Sequence, residues 1–261
     1  MSTRIGWTRQ QLLVAFNLYC QLPFGKLHSR NPEIIKFSGL IDRTPSALAM
    51  KLSNIASLDP AITSTGRKGL KGASATDSAM WEEMQNAWES FALESNQAIY
   101  VLDVENQPEQ NFDTQSDTDE LVDYTGSNKT IKSKARVGQG FFRKSVLSAY
   151  DYRCCITGLS LPRLLVASHI IPWSEDSSNR LNPRNGLSLS ILHNKAFDIG
   201  IITINEDMTV RVSQRARVKD NFYVTALLSF EGKPISLPEK FQPHADFLAY
   251  HREHIFEHRV L

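Results

Sequence analysis

Apolar residues in the first sixty positions repeat at helical spacing, and each repeat is preceded by a capping signal. Thr8, followed three residues later by Gln11, opens one helix; its apolar face carries Leu12, Leu13, Phe16, Tyr19 and Cys20 until Pro23 and Gly25 stop it. Asn31 before Pro32 and Glu33 opens a second, with Ile34, Ile35, Leu40 and Ile41 as its apolar positions. Thr44 before Pro45 opens a third, which continues through Ala47, Leu48, Lys51, Leu52 and Ile55. Only Ile41, Asp42 and Arg43 separate the last two, the short connection of a helix-turn-helix. Met80, Trp81, Met84, Ala87, Trp88 and Phe91 predict a fourth helix from Ser78 to Phe91. The charges around it are negative, so its aromatic stripe reads as core rather than as a base-stacking platform.

Periodicity then fails. Asp103 to Asp123 holds eight acids, no Lys or Arg and few apolar residues, the composition of a linker. FFRKSVLSAY, with Phe142, Val146, Leu147 and Tyr150 on one side, predicts a short amphipathic helix. RCCITG and LLVASHIIPW predict a β-hairpin whose second strand delivers His169 near its end and stops at Pro172. LSLS, after Asn185, predicts a second short strand, and ILHNKAFD a helix of about two turns. IITI and TVRVS read as a later hairpin, and Ala245 to His258 as a terminal helix. The expected class is α+β: a helical, helix-turn-helix-like domain (1–100), an acidic-to-basic linker (101–135) and a mixed strand-and-helix domain with a C-terminal helix (136–261).

At 261 residues and 41% hydrophobic, the chain can bury a core in each domain. No apolar run reaches about eighteen residues and the start lacks a signal-peptide core, which predicts a cytoplasmic protein without a membrane partner. Cys20, Cys154 and Cys155 offer no disulfide framework, in keeping with a reducing compartment. The net charge of +1 hides a segregation: residues 1–74 hold ten Lys/Arg against three acids, 75–125 thirteen acids and no Lys/Arg, and 126–261 nineteen Lys/Arg against twelve acids. Each basic block can meet a polyanion. The expected DNA contacts are Arg43, Lys51, Arg67, Lys68 and Lys71 in the first block, and Arg143, Lys144, Arg184 and Lys195 in the second. Trp7 to Ile55 also resembles a Myb/SANT-like three-helix unit, which implies that the third helix is offered to the major groove.

His169, Asn185, His193, Asn194 and Asp198 fall within thirty residues, on strand, strand and helix. Hydrolysis of a phosphodiester needs a water deprotonated near neutral pH and a cation to neutralise developing charge. Histidine suits the first task. Asn194 and Asp198, at i and i+4, project from one helix face and carry the oxygen atoms that Mg²⁺ prefers; His193 sits about 100° around the helix. Asp198 has a second reading, a helix-end residue bonded to backbone. His251, His254 and His258 share a helical face, which reads better as a basic face over a phosphate groove than as a metal site. The two adjacent cysteines lack partners at Cys-x-x-Cys spacing, so no structural zinc is expected.

The TG turn after RCCI, the strand ending in SHIIPW, the RNGL segment and the FDIG helix end make residues 140–200 resemble the HNH endonuclease family, in particular its restriction- and defence-type branch. PISLPEKF and YHREHIF extend the likeness to roughly half of the chain. The resemblance implies a ββα-metal fold with His169 as general base and Asn185 shaping the loop that orients it. Asn194 and Asp198, nine and thirteen residues after Asn185, fall where the family places helix ligands, with His169 beside them. Where many members carry two histidines this chain has His193 and Asn194, which leaves His193 to bind metal, to contact phosphate or to pack. Ser168 stands where other branches carry an acid or histidine ligand, and Asp198 makes up the charge. The function implied is a Mg²⁺- or Mn²⁺-dependent endonuclease of restriction or phage-defence type acting on double-stranded DNA, with a homodimer as one route to cutting both strands. The alternative is a DNA-binding regulatory protein with an inactive HNH domain.

Overall fold

The structure, a computed structural model, describes residues 6–64, 66, 72–105, 129–216 and 218–258, with no side chain described from 104 to 136. The acidic stretch from 106 to 128 and the expected DNA contacts Arg67, Lys68 and Lys71 lie outside the described residues.

Three capped helices open the chain as the pattern predicts: α1 (Arg9–Gln21), α2 (Pro32–Leu40) and α3 (Pro45–Ala56). Thr8 and Gln11 form a reciprocal capping box, which satisfies amide groups that the first turn leaves without partners. The single-turn α4 (Pro60–Thr63) follows. The helix expected over Ser78 to Phe91 is two helices, α5 (Ala75–Asn86) and α6 (Trp88–Glu105), broken at Ala87, whose φ of −147° and ψ of 57° are not helical. Its stripe is core nonetheless, with Met80, Met84, Trp88 and Phe91 buried. FFRKSVLSAY closes a longer helix, α7 (Lys129–Ala149).

Lys51 departs from its expected role as a phosphate contact. Its ammonium lies 2.8 and 2.9 Å from the two carboxylate oxygens of Asp77, which is 0% exposed, and it also sits 5.0 Å over the Trp7 ring. A buried lysine in such a pair holds α3 to α5 and has no charge left to offer solvent. The sequence shows a lysine on a helix face; only the fold brings up a carboxylate 26 residues away.

In the second half, β1 (Leu165–His169) and β2 (Gly186–Ser190) pair antiparallel, Leu165 opposite Ser190 and His169 opposite Gly186. RCCITG, expected as the partner strand, is a turn instead: Gly158 N donates to the Cys154 carbonyl at 2.9 Å, and β2 takes the place beside β1. α8 (Ile191–Asp198) follows β2 directly, capped by Ser190. β3 (Ile202–Ile204) and β4 (Val210–Val212) form the expected second hairpin. After α9 (Asn221–Ala226), α10 (Ala245–His254) ends before His258, because the chain turns there and Glu257 donates its N–H to the Gly200 carbonyl at 3.1 Å.

One hydrophobic cluster runs through both halves, from Leu12 to Leu248. Helix α7 joins them, packing on α1 and α6 and also on β1 and β2. The segment before α10 adds a second tie. Lys240, 0% exposed, donates to the carbonyls of Tyr19 at 2.5 Å, Cys20 at 3.2 Å and Leu22 at 2.6 Å, capping the end of α1; desolvation lowers its pKa to about 8. Phe241 places its ring among Tyr19, Trp81 and Trp88, with centroids 5.8, 6.5 and 5.5 Å away. Phe241→Ala is expected to lower stability by about 3–5 kcal/mol. Because the cluster is shared, chemical denaturation followed by tryptophan fluorescence and by far-ultraviolet circular dichroism should give one coincident transition in the wild type.

Candidate active site

His169, at the end of β1, has its ring held from three directions. It stacks on Phe142 of α7 at 3.9 Å and 9°, meets Trp173 edge-on at 5.5 Å, and places Nε2 2.9 Å from the Arg180 carbonyl oxygen. A carbonyl only accepts, so Nε2 carries the proton and Nδ1 is the basic nitrogen of the neutral ring. Burial pulls the His169 pKa below its ordinary 6.5, with the Arg180 contact opposing. At neutral pH the ring is therefore uncharged and able to take a proton.

Asn185, 1% exposed, shapes the loop that follows. Its Oδ1 accepts from Ile171 N at 2.8 Å, and its Nδ2 donates to the carbonyls of Ile171 and Asn179 at 3.2 and 3.3 Å. These bonds fix the far end of the loop that carries Arg180, and with it the carbonyl that sets the His169 tautomer.

Helix α8 presents two faces. On the outer one, Asn194 Nδ2 donates to Asp198 Oδ2 at 3.0 Å. With Ser168 and His169 this pair lines one cleft of about 340 Å³, which Trp173 and His251 also border. His193 is on the inner face: 4% exposed, its Nδ1 2.8 Å from Ser190 Oγ and its ring edge-on to Phe230 at 5.4 Å. It packs, and does not line the cleft. Burial lowers its pKa as well.

Among the described residues, no group of three His, Cys, Asp or Glu side chains is placed to hold a metal ion. The cleft offers instead the Asp198 carboxylate and the Asn194 amide oxygen, and Ser168 in its lining holds a buried hydroxyl without a hydrogen-bond partner. Hard oxygen donors with a single carboxylate fit a small cation that keeps several of its waters, as Mg²⁺ does. They do not fit the nitrogen and sulfur set of a structural zinc site.

The basic residues divide. Arg43 donates to the carbonyl of Gly6 at 2.6 Å and to Gln11 Oε1 at 2.9 Å, with its guanidinium over Trp7. Arg143 donates to the carbonyls of Leu165 and Pro162, and Arg184 to that of Gln242. These three hold backbone in place. Lys144 and Lys195 are exposed, Lys195 on the cleft's own helix. Of the expected basic face on the terminal segment, His251 is withdrawn, 1% exposed and pointing inward, while His254 and His258 are exposed. Sequence reasoning missed Phe142 and Arg180 as supports of His169; the run of Arg180 and Asn185 around a polar loop was the only available signal.

Two antiparallel strands leading straight into a helix, with a neutral histidine closing the first strand and a carboxylate on the helix, define a ββα domain of nuclease type. The family model described as HNH endonuclease matches residues 154–205, so this region is an HNH domain and indicates nuclease chemistry on a nucleic-acid substrate. HNH nucleases generally use a divalent metal. No curated protein matches the chain. Among the described residues, no helix is long and apolar enough to cross a membrane. Long-range ¹H–¹⁵N spectra of the histidines should show His169 as the Nε2–H tautomer with a titration midpoint below 6.5; a midpoint above that value would contradict the desolvated ring.

Proposed function

We propose that this protein is a Mg²⁺- or Mn²⁺-dependent DNA endonuclease of restriction or phage-defence type, and that His169 is its general base. The observation that carries this reading is the convergence of His169, Asn194 and Asp198 on one cleft from a strand and a helix that are separate in sequence. A water in that cleft gives its proton to His169 Nδ1 as its oxygen bonds to phosphorus, and the bond to the sugar oxygen breaks on the opposite side. Asp198 and Asn194 would hold the cation, which supplies positive charge against the phosphate oxygens. Asn185 and Arg180 keep the base in its accepting tautomer. Lys144 and Lys195 are exposed cations available to DNA phosphates, Lys195 on the helix that carries Asn194 and Asp198, whereas Lys51 is withdrawn from the DNA-binding set. The helical N-terminal part would select the target.

A second reading, a DNA-binding regulator with an inactive HNH domain, is favoured by one observation, the single carboxylate in the cleft with no three-residue ligand cluster among the described residues. Plasmid nicking in Mg²⁺, Mn²⁺ or EDTA separates the two. Cleavage is expected with either ion, none in EDTA, and a loss of about 10³-fold in His169→Ala. Because the His169 pKa is lowered, the neutral base persists as pH falls, and the acid limb of the rate profile should lie below 6.5. Nicking that survives His169→Ala at full rate would remove His169 as the base; no nicking by the wild type under any metal would leave the regulator reading.

A further inference from the structure

His251 lies outside the matched HNH region, on α10, yet it borders the cleft. It is 1% exposed, and its ring stacks on that of Phe197 at 3.6 Å and 13°. Nε2 lies 3.1 Å from the Phe197 carbonyl, and Nδ1 lies 2.8 Å from the Thr203 hydroxyl. Since the carbonyl can only accept, Nε2 is the donor and the Thr203 hydroxyl donates to Nδ1. One buried side chain thus joins the last turn of α8, strand β3 and helix α10.

Its target is the residue next to Asp198. A helix end leaves its last carbonyls without i+4 partners, and the last turn is where a helix frays; here the Phe197 carbonyl accepts from Gly200 N at 3.0 Å and from His251 Nε2 as well. Here Gly200, at φ +73°, closes the turn, with Ile201 N donating to Ala196 O at 2.8 Å. The same glycine admits the backbone of the terminal segment so closely that a Cβ on it would stand 2.2 Å from the Ile255 carbonyl oxygen. The His251 ring and this contact grip the C-terminal turn of α8 from the same element. Asp198 is itself exposed, with its carboxylate accepting from Asn194 one turn back on the same helix, and the backbone that carries it belongs to that turn.

We propose that His251 is a positioning residue of the nuclease centre: through the Phe197 carbonyl it fixes the α8 turn that aims Asp198 into the cleft facing His169. This rests on the endonuclease reading and extends it to a residue outside the HNH segment. Partners behind a metal ligand typically change metal affinity by about 10- to 100-fold when removed.

The test measures Mn²⁺ binding by electron paramagnetic resonance, which does not depend on turnover, beside plasmid nicking. His251→Phe keeps the stacked ring and removes both polar contacts; it should weaken Mn²⁺ binding about 10-fold and raise the Mn²⁺ concentration needed for half-maximal nicking by the same factor. His251→Gln, which can still donate to the Phe197 carbonyl, should recover most of that affinity. Thr203→Val, losing only the hydroxyl that orients the ring, should fall between them and serves if His251→Phe does not fold. Wild-type affinity in both His251→Phe and Thr203→Val overturns the role of His251 alone. A wild type that neither binds Mn²⁺ nor nicks DNA overturns the endonuclease reading, and the positioning role with it.

Discussion

The pairing register of β1 with β2 is the constraint on which the rest of the site depends. His169 stands opposite Gly186, and a slip of one residue would send its side chain to the other face of the hairpin. The register is held at both ends. At the loop end, Asn185 bonds both backbone groups of Ile171, and its carbonyl accepts from Ile170 N. At the packing end, Gly186 lets the hairpin approach α7 so closely that a Cβ would meet Val146 at 2.4 Å. That approach brings Phe142 under the His169 ring. One backbone pairing thereby sets the position, the tautomer and the desolvation of the base.

The two sides of the cleft are built differently. His169 is enclosed by rings and a carbonyl, which keeps it neutral; Asn194 and Asp198 stand on an outer helix face, where a cation can keep part of its water shell. The exposed side gains its order from behind, through the turn at Gly200 and the inward-facing His251. A histidine that looks like a third ligand by spacing, His193, supports α8 from the core instead.

The helical and catalytic halves are not joined by a linker alone. Ser148 Oγ donates to the Cys20 carbonyl at 3.0 Å, Lys240 caps the end of α1, and Phe241 enters the aromatic cluster of the first half. These contacts put residues from the far end of the sequence into the N-terminal core. Direct contacts thus run from α1 to the segment preceding α10.

Local chemistry was enough to read the capped helices α1, α2 and α3, the strand-to-helix passage from β2 into α8, and the pairing of Asn194 with Asp198, because caps, periodicity and i,i+4 spacing act over a few residues. The contiguous motif around His169 and Asn185 was enough to single them out as candidates through the family resemblance. Partners distant in sequence had no local signature. The Asp77 carboxylate that buries Lys51, the Phe142 ring beneath His169, the Thr203 hydroxyl that turns His251 inward and the α1 carbonyls that receive Lys240 are each brought in by tertiary packing. The same limit applies to RCCITG, whose short apolar run before a TG turn is compatible with a strand, while the place beside β1 goes to the strand the loop delivers. Sequence by itself determined which groups are candidates for the proposed chemistry; the tertiary structure decided which of them face the cleft, because burial and hydrogen-bond partnership are properties of the packed chain and not of the segment.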